Sequence, residues 1–277
     1  LQSFREGVLA VVFDSLDRIQ HMFWRDRPDI VEDWYMKLDA LLGRVEHQLE
    51  QLGEKPKTVI VSDHGFADFD HKVHLNRWLV DRGFLAVRTD GTNGSLREVD
   101  WSQSQAYAVG LNSVYINLRG REGQGCVTEE EYESLVHKLC HEMSIWRGPS
   151  GSPVLQQASS RDEVFEGSLT EHGPDIVVGY SPGYRASAET GLGEWGENSI
   201  EPNRDHWGGD HCMDQAAVPG ILFSRRGLSD FPNPSYRDIP ALTIGAELEG
   251  SDLQPPPSWA EEDQEIIEER LRGLGYL

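Results

Sequence analysis

The sequence predicts an α/β fold, a largely parallel central sheet flanked by helices on both faces, in a single domain over residues 1–277. Two short apolar runs, Gly7 to Phe13 (GVLAVVF) and Thr58 to Ser62 (TVIVS), each pass directly into polar residues, as buried strands do when they end in loops. Between them Val31, Trp34, Leu38, Leu41, Val45, Leu49 and Leu52 recur every three or four residues, which predicts a long amphipathic helix stopped by Gly53. Strand, helix, strand implies a right-handed crossover between parallel strands, and in such sheets ligands bind in the loops at the carboxyl ends of the strands.

Further strands are predicted over Gln105–Val109, Ser113–Leu118, Asp175–Tyr180 and Gly220–Ser224, with a helix from Glu129 to about Ile145. The stretch 181–210 is rich in Gly, Pro, Glu and aromatic residues without periodicity, and reads as a long substrate-side loop. Beyond the prolines at 255–257 a polar helix is expected at about 260–273.

A hydrophobic content of 38% over 277 residues suits a soluble globule with a real core. The apolar runs reach only about eight residues, far short of the roughly 20 that span a bilayer, so no membrane span is expected. A cytoplasmic, periplasmic or secreted location fits equally, and oligomeric state leaves no mark in the sequence. The formal charge of −22, from 47 acidic against 25 basic residues, opposes binding of duplex nucleic acid along a basic groove. If the substrate is still a phosphate ester, its attraction needs concentrated local positive charge, which bound divalent cations supply most compactly. Cys126, Cys140 and Cys212 are widely spaced and odd in number, and read as ordinary thiols.

Three short motifs carry the chemistry. Asp17 and His21, four residues apart, share one face of a helical turn and can share one cation; alternatively Asp17 caps that turn, and Asp14 is a rival carboxylate. Asp63-His64-Gly65-Phe66 follows a predicted buried strand, where adjacent side chains splay and can wrap one metal or bridge two, with Gly65 allowing a sharp turn beneath them. The bland alternative is a capped turn with a satisfied histidine. Gly208-Gly209-Asp210-His211 brings a flexible backbone and one imidazole to a third loop, with His206 beside Trp207 as a rival ligand or a substrate-facing residue.

Taken in this order, Asp17 with His21, Asp63 with His64, and then His211, the motifs resemble those of the type I phosphodiesterase and nucleotide pyrophosphatase family of the alkaline phosphatase superfamily. The likeness extends to the region of Tyr115 to Asn117, to Gly173-Pro174-Asp175, and to Leu274-Gly275-Tyr276. It implies an alkaline-phosphatase-like fold and two divalent ions, zinc with manganese as the alternative. Asp17, His21 and His211 would hold one ion, and Asp63 and His64 the other. It also implies hydrolysis of a small-molecule phosphate ester, a phosphodiester or nucleotide pyrophosphate, through a phospho-Thr or phospho-Ser intermediate. In the family that nucleophile follows a metal-binding Asp at the end of an earlier strand. No such strand precedes Gly7, so the nucleophilic Thr or Ser is expected upstream of Leu1. The expectation is thus an N-terminally truncated domain without its nucleophile and with little turnover of its own. Within the superfamily the rival is a phosphomutase of the cofactor-independent phosphoglycerate mutase type; outside enzymes it is a non-catalytic relative that kept the fold.

Other residues invite weaker readings. His71 and His74 follow the Asp-His-Gly loop but suit surface or supporting roles, and Arg185 and Trp195 suit an exposed loop better than a substrate contact. Phe23 and Trp24 read as core, and Cys212 as a packed thiol rather than a zinc ligand.

Overall fold

The periodicity read over Val31–Leu52 produces a helix close to its expected bounds. The computed structural model describes residues 7–51, 57–88, 94–224 and 227–245, and opens on two helices, α1 (Ser15–Phe23) and α2 (Pro28–Gln51). Along α2 the apolar stripe of Trp34, Leu38, Leu41, Val45 and Leu49 is half-buried, with Val31 the one buried side chain of the helix. Leu1, the position upstream of which the hydroxyl nucleophile is expected, lies outside the described residues.

Among the described residues the predicted strand Gly7–Phe13 has no strand pairing, and Val8, Leu9, Val11, Val12 and Phe13 are all exposed. The run TVIVS does form a strand, β1 (Val59–Val61). Next come β2 (Ala67–Val73), α3 (Leu75–Asp81), β3 (Gly94–Ser95), β4 (Ala106–Ala108), β5 (Ser113–Ile116), α4 (Glu129–Ser144) and β6 (Leu155–Ser160). After the short α5 (Arg161–Val164) follows β7 (Ile176–Tyr180). The predicted loop 181–210 is in fact built of β8 (Gly183–Ala186), α6 (Ala188–Gly191), β9 (Glu194–Trp195), β10 (Ile200–Pro202) and β11 (Gly209–Asp210). Then β12 (Leu222–Ser224) and α7 (Ile239–Thr243) close the described chain, and the helix expected at about 260–273 lies outside the described residues.

The architecture is mixed α/β, and its strands pair differently from the simple crossover expected. One four-stranded sheet has the order β4-β5-β7-β6, all antiparallel. The connection from β4 to β5 is only a few residues, long enough for a reversal and too short for a parallel crossover. The second group centres on β2, which pairs antiparallel with β10 and β11 and parallel with β8. Among the described residues this is the parallel pairing between named strands. β1 pairs antiparallel with β12.

The core lies between the β4-β5-β7-β6 sheet and α3 and α4, around Leu75, Trp78, Leu79, Val114, Ile116, Leu139, Met143, Ile176 and Tyr180. Beside it lies a buried ionic knot. Asp175, at the entry to β7, receives both terminal nitrogens of Arg121 at 2.9 and 2.6 Å, the Tyr132 hydroxyl at 2.7 Å and the Ile116 amide at 2.6 Å. Burial works to raise its carboxyl, but Arg121 and the Ile116 amide outweigh that and hold it below the ordinary carboxylate range. A carboxylate so lowered stabilises the fold above the ordinary Asp value of about 3.9, and that contribution is lost as the pH falls through the depressed value.

Asp175→Asn should therefore cost about 3 kcal/mol at neutral pH. That is the low end for a broken buried ion pair, because the Arg121 side chain keeps 32% exposure. In denaturant titrations the gap between the two proteins should narrow below about pH 4; a gap that is small at pH 7 would show that Arg121 is equally well solvated without its partner.

Candidate metal centre

The site forms where three segments meet: α1, the turn after β1, and the turn after β11. On α1, Asp17 and His21 stand one helical turn apart, so their side chains leave the same face, and His21 Nε2 lies 3.5 Å from Asp17 Oδ1. Asp14 is not part of this arrangement: its exposed carboxylate pairs with Arg18 at 3.1 Å. No side-chain cap is made at the start of α1, so Asp17 is not serving as one.

His64 enters from the turn after β1. Its Nδ1 lies 3.0 Å from the Gly65 carbonyl, an oxygen that can only accept, so Nδ1 carries the proton and the lone pair of Nε2 is left for a cation. That Nε2 lies 4.0 Å from Asp17 Oδ1 and 3.6 Å from Asp63 Oδ1. Asp63 stands at the rim with 88% of its side chain exposed. Gly65 does not supply the left-handed turn its position suggests. It is needed because a Cβ there would meet the Pro219 carbonyl at 2.6 Å, where Gly65 N–H donates to the Val218 carbonyl.

His211 arrives from the turn after β11, its Nε2 3.6 Å from Asp17 Oδ1 and its ring stacked on His64 with centroids 3.6 Å apart. Asp17 Oδ1 thus faces three imidazoles, yet it is buried and has no hydrogen-bond partner. The Nδ1 of His21 is likewise buried without one. Burial lowers the affinity of His21 for a proton despite the pull of Asp210 and Asp17. Burial also lowers that of His211, with the neighbouring His64 adding to it. Both rings are therefore held neutral, the state in which imidazole binds a cation.

Asp210, which the sequence reading left without a role, completes the cluster. It is fully buried, and its Oδ1 accepts the amides of His211 and Cys212 at 2.7 and 2.8 Å. Its Oδ2 accepts Trp207 Nε1 at 3.0 Å, pairs with Arg185 Nε at 2.5 Å and lies 3.7 Å from His21 Nδ1. Burial alone would raise this carboxyl, but the Arg185 charge and the Cys212 amide hold it low. The Arg185 guanidinium is itself sandwiched between the Phe69 and Trp207 rings, 5.5 and 5.2 Å from their centroids. The motif that holds Asp210 was visible, but an Asp beside a His looks like any polar loop residue until the fold buries it.

Two groups of potential ligand atoms converge among the described residues, Asp17 with His64 and His211, and His21 with Asp210 and His211, each within 4.8 Å. The remaining sequence candidates are elsewhere. His71 stacks on Tyr184, and His206 is exposed and bonded to Asp26 at 2.8 Å. His74 is buried, its Nδ1 accepting the Gly196 amide at 3.1 Å. Trp195 is core, not an exposed loop residue, and burial pushes the Cys212 thiol up to about 12, far from a thiolate.

The fold and this cluster make a mixed α/β protein with groups of Asp and His side chains that could hold a metal ion. The family model for type I phosphodiesterase / nucleotide pyrophosphatase matches residues 2–210. The chain belongs to that family, hydrolases of the alkaline phosphatase superfamily that are typically metal-dependent. Among curated proteins none matches the chain. Among the described residues no helix is long and apolar enough to cross a membrane.

The approach of α1 to β11 depends on Gly209, where a Cβ would fall 2.4 Å from Trp24 Cγ. Gly209→Ala should therefore displace the indole and cost about 1–3 kcal/mol, lowering the thermal midpoint. An unchanged midpoint would mean that α1 can shift without loss, and that the site is not rigidly assembled.

Proposed function

We propose that this chain carries the metal centre of a two-metal phosphate-ester hydrolase acting on phosphodiesters or nucleotide pyrophosphates. Asp17, His21 and His211 would hold one ion, and Asp63 and His64 the other. The observation that carries the reading is the buried, unpartnered Asp17 Oδ1 facing three imidazole nitrogens at 3.5, 3.6 and 4.0 Å. A buried carboxylate oxygen without a donor is costly, and an ion bound by oxygen and imidazole nitrogen removes that cost. Zinc suits this donor set best, with manganese as the alternative.

When bound, the two cations polarise phosphoryl oxygens and stabilise the attacking and leaving oxygens of an in-line displacement. The protein's own part is orientation. α1 sets Asp17 and His21 on one face, the Gly65 carbonyl fixes the His64 tautomer, and the stacked rings of His64 and His211 hold each other in place. The Arg185 guanidinium beside the cluster is committed to Asp210, and in a chain of net charge −22 bound cations would supply the local positive charge that a phosphate anion needs. Asp63 stands at the exposed rim, where the second ion would also meet the substrate.

The phospho-Thr or phospho-Ser step of this reading needs a hydroxyl nucleophile, and the five proposed ligands are all Asp and His. The ligands themselves are therefore proposed to bind metal and phosphate, with the nucleophile a hydroxyl outside this ligand set. The fold reading that accompanies this is alkaline-phosphatase-like, supported by the family match over residues 2–210.

Titration with zinc should raise the thermal midpoint, and mass-spectrometric metal analysis should find up to two equivalents. His211→Ala should weaken zinc binding at least tenfold, on the order expected for a lost ligand. Orthovanadate should bind the zinc-loaded protein and not the metal-free one. Absence of zinc and manganese uptake, or vanadate binding indifferent to metal, would remove this function.

A further inference from the structure

We propose that Asp210 is a positioning residue for His21: its buried carboxylate accepts a hydrogen bond from Nδ1–H and so leaves the Nε2 lone pair turned toward the cation held at Asp17. This rests on the metal-centre reading above and adds a residue that reading does not use.

The two nitrogens of His21 face two different carboxylates. Nε2 is 3.5 Å from Asp17 Oδ1, and Nδ1 is 3.7 Å from Asp210 Oδ2. Both oxygens cannot serve the same end, because a neutral imidazole has one N–H and one lone pair. Asp17 Oδ1 also faces His64 and His211, which marks that side as the place for an ion. The proton then belongs on Nδ1, toward Asp210. Metal-bound imidazoles commonly donate their other N–H to a carboxylate, which fixes the ring and raises its basicity. The pair stands slightly beyond hydrogen-bond length and would shorten as the ring takes up a cation.

Asp210 itself is badly placed to be a ligand, although it lies within reach of His21 and His211. Oδ1 already accepts two amides, while Oδ2 faces Arg185 and accepts Trp207 Nε1. A cation on Oδ2 would stand against the guanidinium. Its carboxylate is also fully buried and held from β8, from Trp207 and from its own turn, so it is a fixed point against which a ring can be oriented. The other acceptor beside the ring is the Gly209 carbonyl, and the test must separate the two.

The experiment is a competition titration with zinc on wild type, Asp210→Asn, His21→Ala and the double variant. Asp210→Asn is expected to weaken zinc binding about 10–100-fold in the wild-type background and by less than about threefold when His21 is already Ala, since a residue acting through His21 has nothing left to orient. The same loss in both backgrounds would make Asp210 a direct ligand or a general stabiliser and overturn the proposal. No loss in either would assign the proton to Gly209 and overturn it as well. Should Asp210→Asn fail to fold, nitrogen-15 NMR of metal-free wild type and of Arg185→Lys, which alters the Asp210 carboxylate and leaves the Gly209 carbonyl in place, decides: Nδ1–H on the neutral His21 ring with a shift that moves in the variant supports the proposal, and Nε2–H, or an Nδ1–H shift that does not move, ends it. Wild type that binds zinc while Asp210→Asn matches it defeats only this inference; wild type that takes up no zinc defeats the metal centre and this inference together.

Discussion

A single buried anion organises this end of the molecule. Asp210 has no exposure to water, and an ionised carboxylate taken out of water survives only if the protein replaces its hydration. Four groups do so: the amides of His211 and Cys212, the Trp207 indole and the Arg185 guanidinium. Because those donors come from β8, from the segment before β11 and from the turn after it, satisfying one carboxylate fixes three pieces of chain. His211 is the next residue, so the same bonds set its position opposite α1.

The second constraint is steric and acts between backbones. β11 meets α1 only because positions 208 and 209 lack side chains, with Arg25 and Trp24 occupying the space. The turn after β1 meets the 218–219 segment at Gly65 for the same reason. Both close approaches shorten the distances between segments that carry ionisable groups, so imidazoles and carboxylates crowd together at Asp17. Burial outweighs the carboxylates and keeps the His21 and His211 rings neutral, and neutral imidazoles gathered around a carboxylate can bind a cation.

Much of this was legible beforehand where the signal was local. The α2 stripe, the strands β4, β5, β7 and β12 and helix α4 follow from periodicity and apolar runs, and lie near their expected bounds. Asp17 with His21 is a one-turn pair, readable as soon as α1 is. Other elements carry no such signal. β2, with the sequence ADFDHKV, buries only Phe69 and Val73, and its polar residues disguise a strand that receives three partners. β8 to β11 are each two to four residues long, too short for any period to emerge, which is why 181–210 read as a loop.

By itself the sequence determined the chemistry in reserve: which carboxylates and imidazoles exist, their order along the chain, and an acidity that makes a phosphate site dependent on cations. Only the tertiary structure decided which of them meet. It brought His21, His64 and His211 around Asp17, left Asp63 at the rim, sent His71, His74 and His206 elsewhere and buried Asp210 at the centre. The reason is that burial and convergence depend on contacts between residues nearly 200 positions apart, made by glycines and strand pairings whose partners no local pattern names.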